Sequence, residues 1–218
     1  MAPQIERADM GKMEDSKKER ILDAATKVIA ENGYQYATIS TIAKEAGMST
    51  GLLYSYFENK LDLLFSIVVI FLENMNKLNR EGLAALEDPF EKMHLVVDNF
   101  ESLLAKDEKA LYRVKVIADA QPHVVMAKDE KIQEKQKRIS AENTEFVETI
   151  EGIVREGQKK EVFDKSLNPS AVRQVVCGAA ERVIFGLLYK HRSGEEIGYD
   201  AKEGHKTMTK MVDKFLKG

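Results

Sequence analysis

The sequence has no tryptophan, one cysteine and only four prolines among its 218 residues. A single cysteine excludes a framework of internal disulfides and favours a cytoplasmic protein. The longest nearly apolar run covers residues 63–72, far fewer than the ~20 residues that a membrane-spanning helix needs. The N-terminus carries no apolar segment of the kind that marks a secretory signal. We therefore expect a cytoplasmic protein without a membrane segment.

An excess of charge of one sign is also missing, because the formal net charge is -3 at pH 7. This balance argues against a generally basic protein that coats nucleic acid. Hydrophobic residues make up 44% of the chain and charged residues 32%, a composition that can bury a core. Leucine, isoleucine, alanine, glutamate and lysine dominate, and no convincing strand pattern is found. The composition therefore predicts an all-α fold.

Motifs of catalysis and cofactor binding are missing as well. The sequence contains no phosphate-binding loop, no glycine-rich dinucleotide fingerprint, no nucleophile elbow and no zinc-protease helix. The four histidines, His94, His123, His191 and His205, lack the close spacing of metal ligands. Cys177 stands in an apolar stretch and is predicted to be inert packing rather than a redox switch. We expect no enzyme activity, no cofactor and no metal site.

The first fifteen residues show no apolar periodicity and are predicted to be a flexible tail. Ser16 is the predicted start of the first helix, and Glu19 completes a capping box three residues later. Apolar residues then recur at helical spacing over residues 21–29. Gly33 suits the left-handed position that ends a helix.

Two short helices follow, and capping residues mark their boundaries. Thr38 is the predicted N-cap of one helix, which Gly47 ends, and Ser49 is the predicted N-cap of the next. Asn59 then caps a much longer helix that begins at Lys60. Two helices of about eight residues joined by a glycine-containing turn form a helix-turn-helix pattern. This pattern is typical of DNA-binding proteins.

The rest of the chain has the pattern of longer helices separated by short breaks. Asp88-Pro89 and Asn168-Pro169 each place an N-cap residue before a proline, which suits the first turn of a helix. The predicted segments are 1–15 (flexible tail), 16–62 (helix-turn-helix DNA-binding domain) and 63–218 (helical effector-binding and dimerisation domain).

Residues 17–64 resemble the DNA-binding head of TetR-family transcriptional regulators. A helix-turn-helix alone is a weak indication, whereas the run Gly-x-x-Tyr-x-Tyr-Phe-x-Asn-Lys after the turn is specific. The matching segments are 21–25, 32–34, 38–49 and 51–60. The resemblance implies an all-helical dimer with a variable ligand-binding body, in which the last two long helices pair across the dimer.

Part of the body, residues 146–189, is similar to the fatty-acid-degradation subgroup of this family. The matching pieces are 156–158, 162–163 and 168–169, together with Gly178 and Glu181 in an apolar helix. The similarity implies that the effector is a long-chain fatty acyl-CoA.

A recognition helix places short side chains against base edges and fixes its register on phosphates. The candidate DNA contacts are Lys17, Lys18, Thr38, Ser49, Thr50, Gly51, Tyr54, Ser55, Tyr56 and Lys60. Those on the outer face of the second short helix are expected to read bases, and Thr38, Tyr56 and the lysines are expected to bind phosphates. The resemblance implies similar roles for most of them. The plainer alternative is that Thr38 is only a helix cap and that the tyrosines pack in the core.

The body offers two further sets of candidates. Inward-facing stripes predict an apolar effector pocket lined by Phe71, Met75, Phe100, Leu104, Tyr112, Val116, Asn143, Phe146 and Ile150. Asn143 is the polar residue that its helical spacing predicts to point inward. Small and apolar residues of the last helices predict a dimer interface of Val176, Ala179, Ala180, Val183, Leu187, Met208, Met211 and Phe215. The alternative for each set is ordinary helical core.

Together these patterns predict a ligand-responsive transcriptional repressor. It is expected to bind a palindromic DNA operator as a homodimer and to be released by a small apolar effector, with a fatty acyl-CoA as the candidate. Two alternatives stay open. One is an activator of the same family, and the other is a helical lipid-binding or acyl-binding protein without functional DNA recognition.

Overall fold

The structure is a computed structural model that describes residues 3–105, 112, 115–117, 120, 123 and 132–218. Within these residues, eight helices have defined bounds and no strand is found. They are α1 (Pro3–Asn32), α2 (Ile39–Glu45), α3 (Thr50–Tyr56), α4 (Lys60–Leu83), α5 (Pro89–Ala105), α6 (Gln133–Lys159), α7 (Pro169–Ser193) and α8 (Ala201–Lys217). The predicted all-α fold is confirmed. Among the described helices, none is long and apolar enough to cross a membrane.

The first three helices form a small head whose core continues into α4. Ile21, Ile42, Leu53 and Phe57 are buried in this core. The apolar side chains at 63–69 of α4 belong to the same cluster. Close-packed interiors transmit displacement rather than absorb it. A shift of α4 therefore affects the packing of the head directly.

Helix α1 is longer than the sequence predicted. It begins at Pro3, so the predicted start at Ser16 is wrong and the segment from residue 3 onward is helical. Proline suits the first turn of a helix because its missing N–H would have no helical partner there. Glutamate, methionine and alanine in this segment are good helix formers. The extension therefore follows from local propensity, without the apolar stripe that usually marks a helix.

The body is built from α4 to α8, with α4 against α6, α6 against α7, and α5 against α8. Its core includes Met93, Ile150, Val154 and Val172. Phe163 stacks edge-on against Phe90 of α5, with ring centroids 4.7 Å apart. These contacts hold the carboxyl end of α6 between α5 and the C-terminal helices.

Side chains cap the long helices where the sequence predicted. Asn59 accepts a hydrogen bond from the N–H of Asp62 (2.8 Å) at the start of α4. Asn168 accepts one from the N–H of Ala171 (3.1 Å), with Pro169 in the first turn of α7. These bonds satisfy N–H groups that have no partner within the helix. The predicted caps are confirmed.

Candidate functional site

The turn between α2 and α3 has the geometry of a Schellman motif. The N–H of Met48 donates to the carbonyl of Ala43 (2.9 Å), and the N–H of Gly47 donates to the carbonyl of Lys44 (3.1 Å). Gly47 has a φ of 65°, a left-handed conformation that is unfavourable for residues with a Cβ. The turn therefore ends α2 sharply and sets the direction in which α3 begins.

Helix α1 supports this turn through two side chains. Arg20 Nη2 donates to the carbonyl of Ala46 (2.9 Å). Lys27 pairs with Glu45 of α2 at 2.7 Å, and hydrogen bonding to that carboxylate raises the pKa of Lys27. Both contacts are made by charged side chains of α1 that lie at the surface. The helix-turn-helix is thus held against α1 as a unit.

Both short helices are capped by residues that were also predicted to contact DNA. Thr38 and Thr41 form a capping box, in which each side-chain oxygen accepts the backbone N–H of the other (3.1 and 3.0 Å). Ser49 Oγ accepts the N–H of Leu52 (3.2 Å). Thr38 and Ser49 remain exposed while they cap. Their role as caps is confirmed, and their contact with DNA stays a prediction.

Helix α3 has one buried side and one exposed side. Leu53 is buried in the head core, as is Phe57, which directly follows the helix. The exposed residues are Thr50, Gly51, Tyr54 and Ser55. Tyr54 leaves 55% of its surface accessible. The structure thus brings the four residues predicted to read bases together, on the side of α3 that faces away from the core.

The other predicted contacts differ in how accessible they are. Tyr56 is half-buried and packs against the head core. Ser55 Oγ donates to the carbonyl of Leu52 (2.6 Å), which leaves its oxygen as an acceptor. On α1, Lys18 is exposed and Lys17 is half-buried. Tyr54 is therefore the tyrosine of α3 that presents its ring to an approaching duplex.

Lys60 has a structural role that the sequence did not predict. Its Nζ donates to the carbonyls of Tyr34 (2.6 Å) and Ala37 (2.8 Å), and it lies 4.3 Å from the centroid of the Tyr34 ring. Burial lowers the pKa of Lys60. The ammonium group ties the loop before α2 to the start of α4. Its predicted contact with a phosphate stays a prediction.

Two lysines of the body are bonded to the base of the head. Lys135 of α6 pairs with Asp62 in the first turn of α4, and its Nζ lies 5.8 Å from the centroid of the Phe57 ring. Lys115 donates to the carbonyl of Ala30 (2.9 Å), close to the carboxyl end of α1. A movement of α6 against α4 therefore changes contacts at the point where the head joins the body.

The residues predicted to line an effector pocket do not share one cluster. Those in the core next to the head are Phe71, Tyr112 and Val116. Those in the core of the body are Phe146 and Ile150. Met75 is buried on α4. The side chains of Phe100 and Leu104 lie outside the described residues. These placements keep most of the set inside the body, in line with either a pocket or ordinary core.

Asn143 is exposed, so the expectation that it points inward is wrong. On α6 it is Glu142 that meets α4, where its backbone oxygen and its carboxylate both accept from Asn76 Nδ2 at 2.8 Å. A second buried amide, Asn79, accepts a hydrogen bond from Asn99 of α5 (2.7 Å). The bond from Asn76 joins α4 to α6, and the bond between Asn79 and Asn99 joins α4 to α5. The sequence analysis missed these buried asparagines because they interrupt no helical pattern.

The last two helices leave an apolar groove with a volume of 430 Å³. The predicted dimer residues that line it are Val176, Ala179, Val183, Met208, Met211 and Phe215. Val176, Ala180 and Met208 are also part of the core of the protomer, and Leu187 is half-buried. Met211 is 62% exposed, and Val175, which was not predicted, is 52% exposed. Several residues of the predicted dimer interface are therefore buried within the protomer, and fewer of them are exposed than predicted.

Two family profiles cover most of the chain. The profile of the bacterial regulatory proteins of the tetR family matches residues 21–67, and that of the YsiA-like protein C-terminal region matches residues 70–193. The second match alone spans more than half of the chain. This chain belongs to the TetR family. It is a ligand-responsive, DNA-binding transcriptional regulator, in which α2 and α3 are the helix-turn-helix.

Similar proteins of the TetR family include regulators of fatty acid metabolism. The fatty acid metabolism regulator protein of Bacillus subtilis (strain 168) is 31% identical over 169 residues, covering 76% of this chain and 80% of that protein. The fatty acid degradation regulator FadR of Bacillus halodurans aligns with a TM-score of 0.69 and 26% identity, covering 90% and 94% of the two chains. FadR of Bacillus subtilis in complex with stearoyl-CoA aligns with a TM-score of 0.68 and 24% identity, covering 91% and 98%. The expected resemblance is confirmed.

The TetR-family head exposes further residues that the sequence analysis did not select. Tyr36, in the loop before Thr38, is 82% exposed, and Lys44 is exposed near the end of α2. Large aromatic side chains are seldom this exposed without a partner. A tyrosine two residues before a capping threonine is the feature of the sequence that could have indicated it.

Two further described residues of this TetR-family chain that could ligate a metal or act as a nucleophile, His94 and Cys177, are paired or largely buried. Among the described residues, no group of three or more His, Cys, Asp or Glu is placed to hold a metal ion. His94 pairs with Asp213 of α8 at 2.5 Å. The side chain of His191 lies outside the described residues. Burial raises the pKa of Cys177 to about 11, so its thiol is protonated at neutral pH.

Proposed function

We propose that this TetR-family regulator is a homodimeric repressor that binds a palindromic operator and releases it when a fatty acyl-CoA binds to the body. The observation that carries the DNA-binding part is the exposed side of α3, where Thr50, Gly51 and Tyr54 stand clear of the head core. Gly51 lets the backbone approach base edges, and Tyr54 offers a ring for a thymine methyl group and a hydroxyl for a hydrogen bond. The protein acts by binding rather than by catalysis, in the cytoplasm.

A homodimer is supported by the apolar groove between α7 and α8. Met211 and Val175 expose apolar side chains there, and burial of such surfaces drives association. Two-fold symmetry places two recognition helices ~34–36 Å apart, one turn of DNA, so that each reads one half-site. The two half-sites then form a palindrome because they mirror the symmetry of the protein.

A fatty acyl-CoA effector is supported by the relatives. The Bacillus subtilis protein that is 31% identical over most of this chain is a fatty acid metabolism regulator. The solved FadR structure from the same organism holds stearoyl-CoA. The body of this chain offers buried apolar side chains on α4 and α6, among them Met75 and Ile150, which suit the contact with an acyl chain.

The effector acts by changing the direction of α4. Helix α4 runs from the base of the head into the body, and Lys135 of α6 is paired with Asp62 in its first turn. A ligand that separates α6 from α4 breaks this pair and tilts the head away from its half-site. The energy needed is modest, because a tenfold loss of operator affinity corresponds to ~1.4 kcal/mol. By linkage, DNA weakens effector binding by the same factor.

The first test selects bound duplexes from a random DNA pool with the purified protein at physiological salt. We expect a palindrome to be enriched by the wild type and by Tyr189→Ala, and not by Tyr54→Ala. Tyr189 is a matched control, because it is 54% exposed on α7, outside the helix-turn-helix. Enrichment by Tyr54→Ala would contradict the assigned recognition face. No enrichment by the wild type, together with acyl binding, would favour the lipid-binding alternative.

The second test measures release. Stearoyl-CoA is titrated into the protein with and without the selected operator, and the duplex is followed by fluorescence anisotropy. We expect the duplex to be released and the affinity for stearoyl-CoA to be lower when the operator is present. Equal effector affinities with and without operator would reject the coupling. Tighter DNA binding in the presence of stearoyl-CoA would assign the protein as a ligand-dependent binder instead.

A further inference from the structure

Two buried amide groups on α4 each keep one hydrogen-bonding atom without a partner. Asn76 and Asn79 are both 1% exposed and stand three residues apart, on the same face of the helix. Among the described residues, Asn76 Oδ1 and Asn79 Nδ2 have no hydrogen-bond partner. Buried polar atoms in folded proteins are almost always hydrogen-bonded, so this pair calls for an occupant.

The neighbours of the two amides determine which atoms stay free. Asn76 donates both of its amide hydrogens to Glu142, one to the backbone oxygen and one to the carboxylate. The reverse orientation would set its oxygen against two acceptors, so the Asn76 oxygen is the atom that faces away from α6. Asn79 accepts from Asn99 through its oxygen, and its own N–H groups have no partner within the part of the chain that the structure describes. The free pair is thus one acceptor and one donor.

An acceptor beside a donor selects the chemistry of the occupant. The occupant must donate to Asn76 Oδ1 and accept from Asn79 Nδ2, which a carboxylate or a thioester oxygen cannot do alone, because neither carries a hydrogen. A secondary amide that lies between the two side chains can do both, because its N–H and its carbonyl oxygen point in opposite directions. The Glu142 side chain that contacts Asn76 is already bonded to it. The two free atoms belong to neutral amide groups, which suit a neutral ligand.

We propose that Asn76 and Asn79 bind an amide of the pantetheine arm of the acyl-CoA effector. This inference rests on the proposed function, which supplies an effector with two such amides. The site lies where α4 meets α5 and α6, next to the buried Met75. Binding there places the acyl thioester against α4, the helix that leads into the head. The asparagine pair distinguishes the CoA thioester from the free fatty acid, which has no amide.

The experiment measures the affinity of dodecanoyl-CoA by titration calorimetry for the wild type, Asn76→Leu and Asn79→Leu. Leucine keeps the approximate side-chain volume and removes the hydrogen-bonding atoms. The matched control is Asn74→Leu, the same substitution on the same helix at an exposed position. We expect both buried variants to bind about ten- to a hundredfold more weakly, while Asn74→Leu stays within about twofold of the wild type.

A second measurement uses the unaltered protein and so does not depend on the folding of a variant. S-dodecanoyl-N-acetylcysteamine carries one secondary amide, and the S-ethyl ester of dodecanethioic acid carries none. We expect the first to bind the wild type about tenfold more tightly, and we expect this difference to disappear in Asn79→Leu. Equal binding of the two thioesters to the wild type would overturn the inference.

The outcomes separate this inference from the proposed function. Tight binding of dodecanoyl-CoA that is unchanged in Asn76→Leu and Asn79→Leu would overturn the amide site and leave the acyl-CoA effector intact. The asparagines would then be assigned to a bound water. Failure of the wild type to bind any acyl thioester would overturn both the effector class and the amide site.

Discussion

In the head, the residues of α3 that pack and the residues predicted to read bases lie on opposite sides of one short helix. Leu53 is buried with the core, and Tyr54, the next residue, is more than half exposed. In the body, Met75 and Ile150 were predicted to line the effector pocket and are themselves buried core. Packing and base recognition are therefore carried by different side chains on α3, whereas in the body the same side chains are predicted both to pack and to line the pocket. A binding variant of the head can keep its fold, whereas a pocket variant of the body affects both.

The two regions also pair their polar groups over different distances along the chain. In the head, Thr38 and Thr41 cap each other across three residues. In the body, Asn76 is bonded to Glu142, sixty-six residues away. Local pairs form as soon as the helix forms, whereas distant pairs depend on the packing of several helices. Tertiary polar contacts also occur in the head, where Lys60 donates to the carbonyl of Tyr34, twenty-six residues away, but those of the body span longer stretches of chain.

The comparison is tested most strongly by Phe57→Ala and Tyr54→Ala. Phe57 is fully buried, and its truncation is expected to destabilise the fold by about 3–5 kcal/mol. Tyr54→Ala is expected to change stability by less than about 0.5 kcal/mol and to weaken operator binding about tenfold or more. Urea unfolding and DNA anisotropy measure the two effects. Loss of folding in Tyr54→Ala would show that this side chain is core.

The joint between head and body is tested by Lys135→Met. This change leaves the Asp62 carboxylate without its charged partner at a site that is largely buried. We expect a loss of about 1–2 kcal/mol in unfolding free energy, and a smaller effect of the acyl-CoA on operator binding. Lys137→Met is the control, because Lys137 is exposed on the same helix. If the acyl-CoA changed operator binding equally in the two variants, Lys135 would have no role in coupling effector binding to operator binding.

Two glycines of the head should respond to alanine in opposite directions. Gly47 has a left-handed backbone, so Gly47→Ala is expected to cost about 1–2 kcal/mol. Gly51 lies inside α3, and a Cβ there meets nothing closer than Ser49 Oγ at 4.0 Å. Gly51→Ala is therefore expected to stabilise the helix by about 0.5–1 kcal/mol and to weaken operator binding. Thermal melts of both variants decide the sign, and a stabilised Gly47→Ala would contradict the turn geometry.

The body carries a pH-dependent contact at Glu151. Hydrogen bonds from Ser170 and Arg173 lower the pKa of the Glu151 carboxyl below its ordinary value. The folded-state pKa of Glu151 is thus below its unfolded-state pKa. The contact therefore stabilises the fold fully at pH values above the unfolded-state pKa, and this stabilisation is lost as the pH falls through the folded-state pKa. We expect Glu151→Gln to lower the melting temperature at pH 7, with the difference closing in acid. Glu134→Gln, at an exposed position of α6, should show no such closure.

The smallest expected effect concerns Cys177. Because burial raises the pKa of its thiol to about 11, little thiolate is present at pH 8. We expect alkylation of the folded protein by iodoacetamide to be about a hundredfold slower than that of a free thiol with an ordinary pKa. The same protein in urea is the control and should react at the rate of a free thiol. Rapid alkylation of the folded protein would reopen a redox role.

Much of the fold could be predicted from the sequence, because the residues that begin and end its helices act locally. The caps Thr38, Ser49 and Asn168 each accept from the N–H group three residues away, within a single helical turn. The exposed side of α3 also followed from helical spacing, once Leu53 was taken as core. The start of α1 could not be predicted in this way, because a polar helix with no apolar stripe has no pattern to mark it.

The sequence by itself determined the all-α class, the helix-turn-helix and the family, because these depend on short-range order and on a specific motif. Only the tertiary structure decided that Lys60 binds the loop before α2, that Asn143 is exposed, and that Asn76 and Asn79 are buried side by side. Each of these depends on the rotation of one helix against another, which is set by packing across the whole molecule. Helical spacing names the residues that share a face, and packing alone determines what that face meets.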